Sequence, residues 1–320
     1  MEILITGGAG FIGSHLAEEL LKNEKNEVHI IDNLSTGSLK NIEHLIPNPR
    51  FHYVIDTILN EKIVERLIAM SEQVYHLAAA VGVKLIMEKP LETIETNVKG
   101  SEVILRLGNK YKRKVLITST SEIYGNHVQH TLKEDDNRIL GSVKKWRWAY
   151  ASSKTIDEFL GLAYYIEKKM PVVIVRLFNT VGPRQTGAYG MVIPNLVQSA
   201  LLGKPITVYG TGKQTRSFAY VKDVVRAMIG LMDHPKAVGD VFNIGSENEI
   251  SINELAKKIK KMANSSSAII RIPYEEAYGQ GFEDMQRRTP DISKIRKLIG
   301  YTPLTTLDEI VEEVVDYFKK

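Results

Sequence analysis

A short apolar run, Glu2-Ile3-Leu4-Ile5-Thr6, passes directly into Gly7-Gly8-Ala9-Gly10-Phe11-Ile12-Gly13 and then into a helical stretch from Ser14 to Lys22. Strand, glycine turn and helix in that order constrain the fold more than any other stretch of the chain. Gly7 permits the tight turn, Gly10 lets backbone approach a pyrophosphate, and Gly13 lets the helix pack closely, while free amides at the helix start attract an anion. A second strand, Val28 to Ile31, ends in Asp32, nineteen residues after Gly13. An acidic side chain there can bond both ribose hydroxyls of a dinucleotide. It would also repel a 2′-phosphate, so the pattern favours NAD over NADP.

Strand-like apolar runs recur before helical segments at Ile3 to Ile5, Val28 to Ile31, Val74 to Leu77, Val115 to Thr118 and Val172 to Leu177. The alternation predicts an α/β fold, a Rossmann-like doubly wound parallel sheet. Helices are expected over Pro90 to Leu107 and Tyr150 to Glu167, the latter ended by Pro171 after a Lys-Lys pair. After Leu177 the chain changes to loops punctuated by Gly and Pro, which predicts a second, smaller α/β substrate lobe. The expected division is 1–178 for the dinucleotide unit, with a return of 217–235 to it, and 179–216 with 236–320 for the second lobe. At 320 residues and 43% hydrophobic, the chain is long enough for two lobes.

The charge is nearly balanced, Lys+Arg 42 against Asp+Glu 38. No nucleic-acid partner is expected, because the basic clusters at 110–114 and 257–261 suit a helix end and an amphipathic helix face. There is no cysteine, which excludes disulfides, thiolate metal sites and cysteine nucleophiles. The eight histidines show no helical metal-ligand spacing, so no metal is expected, and His76 reads as packing or lining. No apolar run approaches the ~18 residues of a membrane span, and a first strand at residue 2 leaves no room for a signal peptide. A soluble, cytoplasmic protein is the expectation.

Tyr150 and Lys154 stand at i and i+4 of the predicted helix, behind Thr118-Ser119-Thr120-Ser121-Glu122 at a strand end. On one helix face, the Lys154 ammonium is expected to favour the ionised form of the Tyr150 phenol, making it a base near neutral pH. Such a pair beside a dinucleotide suits redox chemistry on a sugar hydroxyl.

The chain resembles the extended short-chain dehydrogenase/reductase family, specifically its nucleotide-sugar epimerases, dehydratases and decarboxylases. The resemblance runs nearly end to end: the Gly7, Gly10 and Gly13 turn, Asp32 to Gly37, His76-Leu77-Ala78-Ala79, Tyr150-x-x-x-Lys154, Arg176 to Asn179, Thr207 to Gly210, and Arg287 to Asp291. It implies cofactor contacts from Gly7, Gly10, Phe11, Ile12, Gly13, Asp32, Asn33, Ser35, Thr36, Gly37, Asp56, Leu77, Ala78, Ala79, Tyr150 and Lys154. For a UDP-sugar it implies Ser121, Glu122, Asn179, Val192, Tyr209, Arg216 and Arg287. Two arginines from separate loops are reasonable clamps for a diphosphate, with Arg288 as the alternative to Arg287. A homodimer through the helices at 90–107 and 150–167 is a family-level expectation.

Glu122 stands where this resemblance separates chemistries: 4-epimerases usually have a small residue there, whereas dehydratases and UDP-glucuronate decarboxylases have a glutamate. The run Lys145 to Tyr150, with Thr180 to Gln185 and Tyr189-Gly190-Met191, is similar to configuration-retaining UDP-N-acetylglucosamine 4,6-dehydratases. The leading expectation is therefore that dehydratase, with Tyr150 and Lys154 oxidising C4 onto NAD, Thr120 anchoring the C4 oxygen and Glu122 stripping the C5 proton as water leaves C6. Ser121 replaces the aspartic acid of thymidine-diphosphoglucose dehydratases, so the acid for the leaving hydroxyl is unassigned. UDP-glucuronate decarboxylase and UDP-hexose 4-epimerase are the alternatives, and a non-enzymatic NAD sensor is disfavoured by the intact proton-transfer set. Hexose choice is expected to lie in loops 82–88 and 184–192.

Overall fold

The computed structural model describes residues 1–82, 86, 89–127, 131–187, 191–278 and 285–319. Six strands open the fold: β1 (Glu2–Thr6), β2 (Glu27–Asp32), β3 (Phe51–Ile55), β4 (Gln73–His76), β5 (Lys114–Thr120) and β6 (Val172–Leu177). With the strand Asp240–Ile244 they form one sheet of seven, every neighbouring pair parallel, in the spatial order β3-β2-β1-β4-β5-β6 and then Asp240–Ile244. The direction of winding reverses between β1 and β4, which opens a crevice at the strands' carboxyl ends.

The strands are apolar on both faces because helices cover both. Ile3, Ile5, Val28 and Ile30 pack with Leu16, Ala17 and Leu20 of helix α1 (Phe11–Leu21), while the alternate residues Leu4, Val74, Val115 and Ile117 pack with Val64, Leu67, Val103 and Ile104 on the other face. The two long helices extend slightly past their predicted ends, to Pro90–Lys110 and Arg147–Lys168. β3 gave no sequence signal because it is an edge strand in which only Phe51 is buried.

The stretch 217–235 returns to the dinucleotide unit as a helix packed on it rather than as a strand of the main sheet. That stretch supplies Ala219–Tyr220, paired with Thr180–Val181, and the helix Val221–Asp233, packed on α1. The added strand is Asp240–Ile244, within the 236–320 expected for the second lobe, and its Phe242 and Ile244 fill the same core as Val173 and Val175. The smaller lobe is built on Ile206–Tyr209 paired with Ile269–Ile272, and on Thr215–Ser217 flanked by Glu249–Ser251 and Arg287–Arg288. Among the described residues, no helix is long and apolar enough to cross a membrane.

Candidate active site

A cavity of about 590 Å³ runs along the carboxyl ends of the strands, from the glycine turn to the second lobe. Gly7 has φ +73°, and a Cβ there would stand 2.8 Å from the backbone nitrogen of Ala78; a Cβ on Gly13 would stand 2.2 Å from the carbonyl oxygen of Gly7. Both positions therefore exclude any larger residue, and α1 starts with Gly10 as a cap that places no side chain over its amides. Gly10, Phe11, Ile12, Asn33, Ser35, Thr36, Leu77, Ala78 and Ala79 line the same cavity. Gly37 does not; it packs behind Asp32 and Ala9.

Asp32 accepts from the backbone N–H of Ala9 at 3.0 Å and of Leu34 at 2.8 Å. Burial pushes its carboxyl up from the usual range, against the pull of these donors. Asp56 accepts from Thr57 N–H at 2.7 Å and from the Asn60 side-chain amide at 2.8 Å, and it lines the cavity. His76 is buried between the Thr6 hydroxyl, 2.8 Å from Nδ1, and the Ser101 hydroxyl, 3.1 Å from Nε2. It stands below the cavity floor, holding β4 to β1 and to the helix Pro90–Lys110.

Tyr150 and Lys154 both face the cavity, as their spacing predicts, and Lys154 has a second partner. The Lys154 ammonium donates to Asp157 at 2.8 Å, both side chains being buried, so its charge is taken up one turn further along the helix. Burial pushes the Tyr150 phenol well above its usual range, and the carboxylates of Glu122 and Asp157 push in the same direction. The Thr120 hydroxyl bonds the phenol and opposes them. The surroundings thus favour the neutral phenol, with Thr120 pulling the other way.

Glu122 lies in the short 3-10 turn after β5, its N–H donating to the Thr120 hydroxyl at 3.2 Å. Its carboxylate accepts from Arg147 at 3.2 Å and from Arg288. Burial alone would raise this carboxyl, but Arg288, Arg147 and Arg216 outweigh burial and hold it below the usual range. Ser121, Asn179 and Val192 complete this end of the cavity, and Arg288 also donates to the Asn179 side chain.

Of the two candidate clamps, Arg288 rather than Arg287 lines the cavity. Neighbouring residues of a strand point to opposite faces, and Arg287 points outward, donating to Glu249 at 2.6 and 2.9 Å, while Arg288 points in. Tyr209 lies half-exposed at the end of its strand and does not line the cavity. Arg216 is buried, bonds the Thr215 carbonyl at 2.8 Å and acts on Glu122 through its charge. Arg147 was missed as a site residue, although its place three residues before Tyr150 puts it on the same helix face. Of the loops expected to select the hexose, residues 83–85, 87, 88 and 188–190 lie outside the described residues, and with them the Tyr189-Gly190 motif.

The family described as GDP-mannose 4,6 dehydratase matches residues 4–314. The chain belongs to this family. With it comes membership of the nucleotide-sugar branch of the extended short-chain dehydrogenase/reductases, whose structures share the seven-stranded sheet. The chain is 44% identical over 318 residues to the UDP-N-acetyl-alpha-D-glucosaminuronate decarboxylase of Bacillus cytotoxicus, covering 99% of this chain and 97% of that protein. It is 36% identical to UDP-glucuronic acid decarboxylase 1 of Xenopus tropicalis, covering 99% of this chain and 72% of that protein. Among solved structures, UDP-glucuronic acid 4-epimerase from Bacillus cereus, in complex with UDP-glucuronic acid and NAD, superposes with a TM-score of 0.90 at 32% identity, covering 100% and 99% of the two chains. Family membership makes this chain an enzyme; the decarboxylase relatives favour the alternative over the dehydratase expectation.

Proposed function

We propose that this chain is an NAD-dependent decarboxylase of a UDP-linked uronic acid, with UDP-N-acetylglucosaminuronate as the first substrate to test. The observation that carries the reading is the clamping of Glu122 by Arg147 and Arg288. A dehydratase asks Glu122 to take a proton from C5, yet a carboxylate whose proton affinity is lowered by guanidinium groups is a weak base. The same arginines make a cationic pocket suited to an anionic sugar. The Arg288 Nε is buried with no partner among the described residues, leaving a donor for an incoming carboxylate. The relatives named as decarboxylases support this reading at both levels of identity.

The glycine turn and Asp32 fit NAD: the cradle has no room for side chains, and the carboxylate sits where a 2′-phosphate would be repelled. When bound, NAD supplies the oxidation at C4 and its later reversal, so that no net redox occurs. Tyr150, once its own proton has passed to solvent, takes the C4 hydroxyl proton, and Lys154 on the same helix face favours the phenolate that does so. Thr120 holds the C4 oxygen. A ketone at C4 is β to the C6 carboxylate, so the C5–C6 bond breaks to release carbon dioxide and its electron pair is held as the C4 enolate beside the Tyr150 and Thr120 hydroxyls. A proton from water at C5, followed by reversal of the oxidation at C4 with the proton held by Tyr150 returned to the C4 oxygen, gives the pentose. Asn179, Val192 and Arg216 are assigned to the nucleotide side of the substrate.

Mass spectrometry of products from UDP-N-acetylglucosaminuronate, UDP-glucuronate and UDP-N-acetylglucosamine tests the proposal. Loss of carbon dioxide from a uronate is expected. Loss of water from the neutral sugar would restore the dehydratase, and an unchanged mass with inverted C4 would indicate an epimerase.

A further inference from the structure

At the opposite end of the sheet from the cavity, where strands β1, β2 and β3 begin, four side chains with metal-ligating atoms converge on one face. Glu2 and Glu27 are direct cross-strand partners, and so are His29 and His52. Residues two apart on a strand share a face, so Glu27 and His29 project together, flanked by Glu2 on one side and His52 on the other. Further along, that face is apolar, with Leu4, Ile31 and Val54 in the core.

The two imidazoles stack with centroids 4.6 Å apart and planes 18° apart. His29 Nε2 lies 2.6 Å from a Glu2 oxygen, and His52 Nε2 lies 3.4 Å from a Glu27 oxygen. The Nε2 atom of each imidazole thus faces a carboxylate oxygen. Ligand atoms of Glu27, His29 and His52 all lie within 4.8 Å of one another. Zinc bonds at about 2.0–2.2 Å in tetrahedral geometry set neighbouring ligand atoms about 3.4 Å apart, which is the His52–Glu27 separation already present.

We infer that His29, His52 and Glu27 form a binding site for a divalent zinc ion that clips β2 to β3, with water as the fourth ligand and Glu2 orienting the His29 imidazole. Two imidazoles, one carboxylate and a water are a donor set that zinc accepts. His29 is buried and fixed by packing, whereas the side chains of His52 and Glu27 are half-exposed and can adjust to the ion. The site shares no residue with the catalytic cavity.

The test is titration of the metal-free full-length chain with Zn²⁺ in competition with a chromogenic chelator at pH ~7.5, where imidazole is neutral. His52→Ala and Glu27→Ala are run beside it, with His44→Ala as a control at an exposed histidine elsewhere. Wild type and His44→Ala should take up one equivalent, and both site variants should lose it. Zinc should raise the melting temperature of wild type and leave that of His52→Ala unchanged. Both substituted side chains are exposed, and unchanged melting of the variants in chelator establishes that they fold. Absence of uptake by the wild type, or equal uptake by wild type and His52→Ala, overturns the inference.

Discussion

Tyr150 shows how far one residue's chemistry depends on what surrounds it. Its phenol is deeply buried against Glu122 and Asp157, and the nearby lysine spends its charge on Asp157. In the proposed mechanism the phenol carries the proton of the sugar hydroxyl, so Tyr150→Phe should lower turnover by about 10²- to 10⁴-fold with unchanged folding, as rates and circular dichroism would show. Two buried histidines make a second prediction. Burial pushes His76 down to about 3 and His15 down to about 4. Both are neutral in the fold but take up a proton near pH 6.5 when unfolded, so below that pH the unfolded state holds more protons. The stability they permit is fully present above pH ~6.5 and is lost as pH falls toward the folded values, at up to about 1.4 kcal/mol per pH unit for each histidine. Urea midpoints measured from pH ~7 to ~5 should fall, and His76→Asn should flatten the fall. The Tyr150 and Lys154 pairing was legible from the i, i+4 spacing. Its charge state was not, because Glu122 lies twenty-eight residues away in the chain.

Among the elements, β5 and β6 meet the helix Arg147–Lys168 through one buried ionic network. Arg176 donates to both Glu158 oxygens at 2.9 and 2.8 Å and to the Tyr124 hydroxyl at 2.9 Å, while Ser119 donates to Glu158 at 2.5 Å. Tyr124 in turn donates to Asn243 of the last sheet strand at 2.7 Å. The Arg176-Leu177-Phe178-Asn179 motif is thus structural at its first residue and borders the cavity at the others. Arg176→Leu strands the buried Glu158 charge and should cost about 3–5 kcal/mol in denaturant unfolding, a larger loss than removing both charges together in Arg176→Leu/Glu158→Leu. Strands β1, β2, β4, β5 and β6 were legible because burial on both faces leaves unbroken apolar runs. β3 was not, since an edge strand may carry His52 and Tyr53 exposed, and neither was Asp240–Ile244, whose neighbour β6 is far off in sequence.

For the whole molecule, Glu122 from the main sheet and Arg288 from the smaller lobe close over the cavity, and Arg184 reaches back from the second lobe to Glu18 of α1. The helices Pro90–Lys110 and Arg147–Lys168 pack side by side and expose Leu91, Ile156, Phe159 and Ile166. We propose that this apolar face joins two copies of the chain, which matches the expected homodimer. Light scattering should give twice the chain mass, and Phe159→Asp should reduce it to one; a monomeric wild type would refute the pairing. The glycine turn, the acidic end of β2, the alternation that makes a parallel sheet and the Tyr150–Lys154 spacing were determined by the sequence alone, since each depends on residues close together on one element. Only the tertiary structure decided that Arg288 rather than Arg287 enters the site, that arginines weaken Glu122 as a base, and that His29 meets His52. Those outcomes depend on register and burial between segments distant in the chain, where a separation of a few ångströms sets the charge on each group.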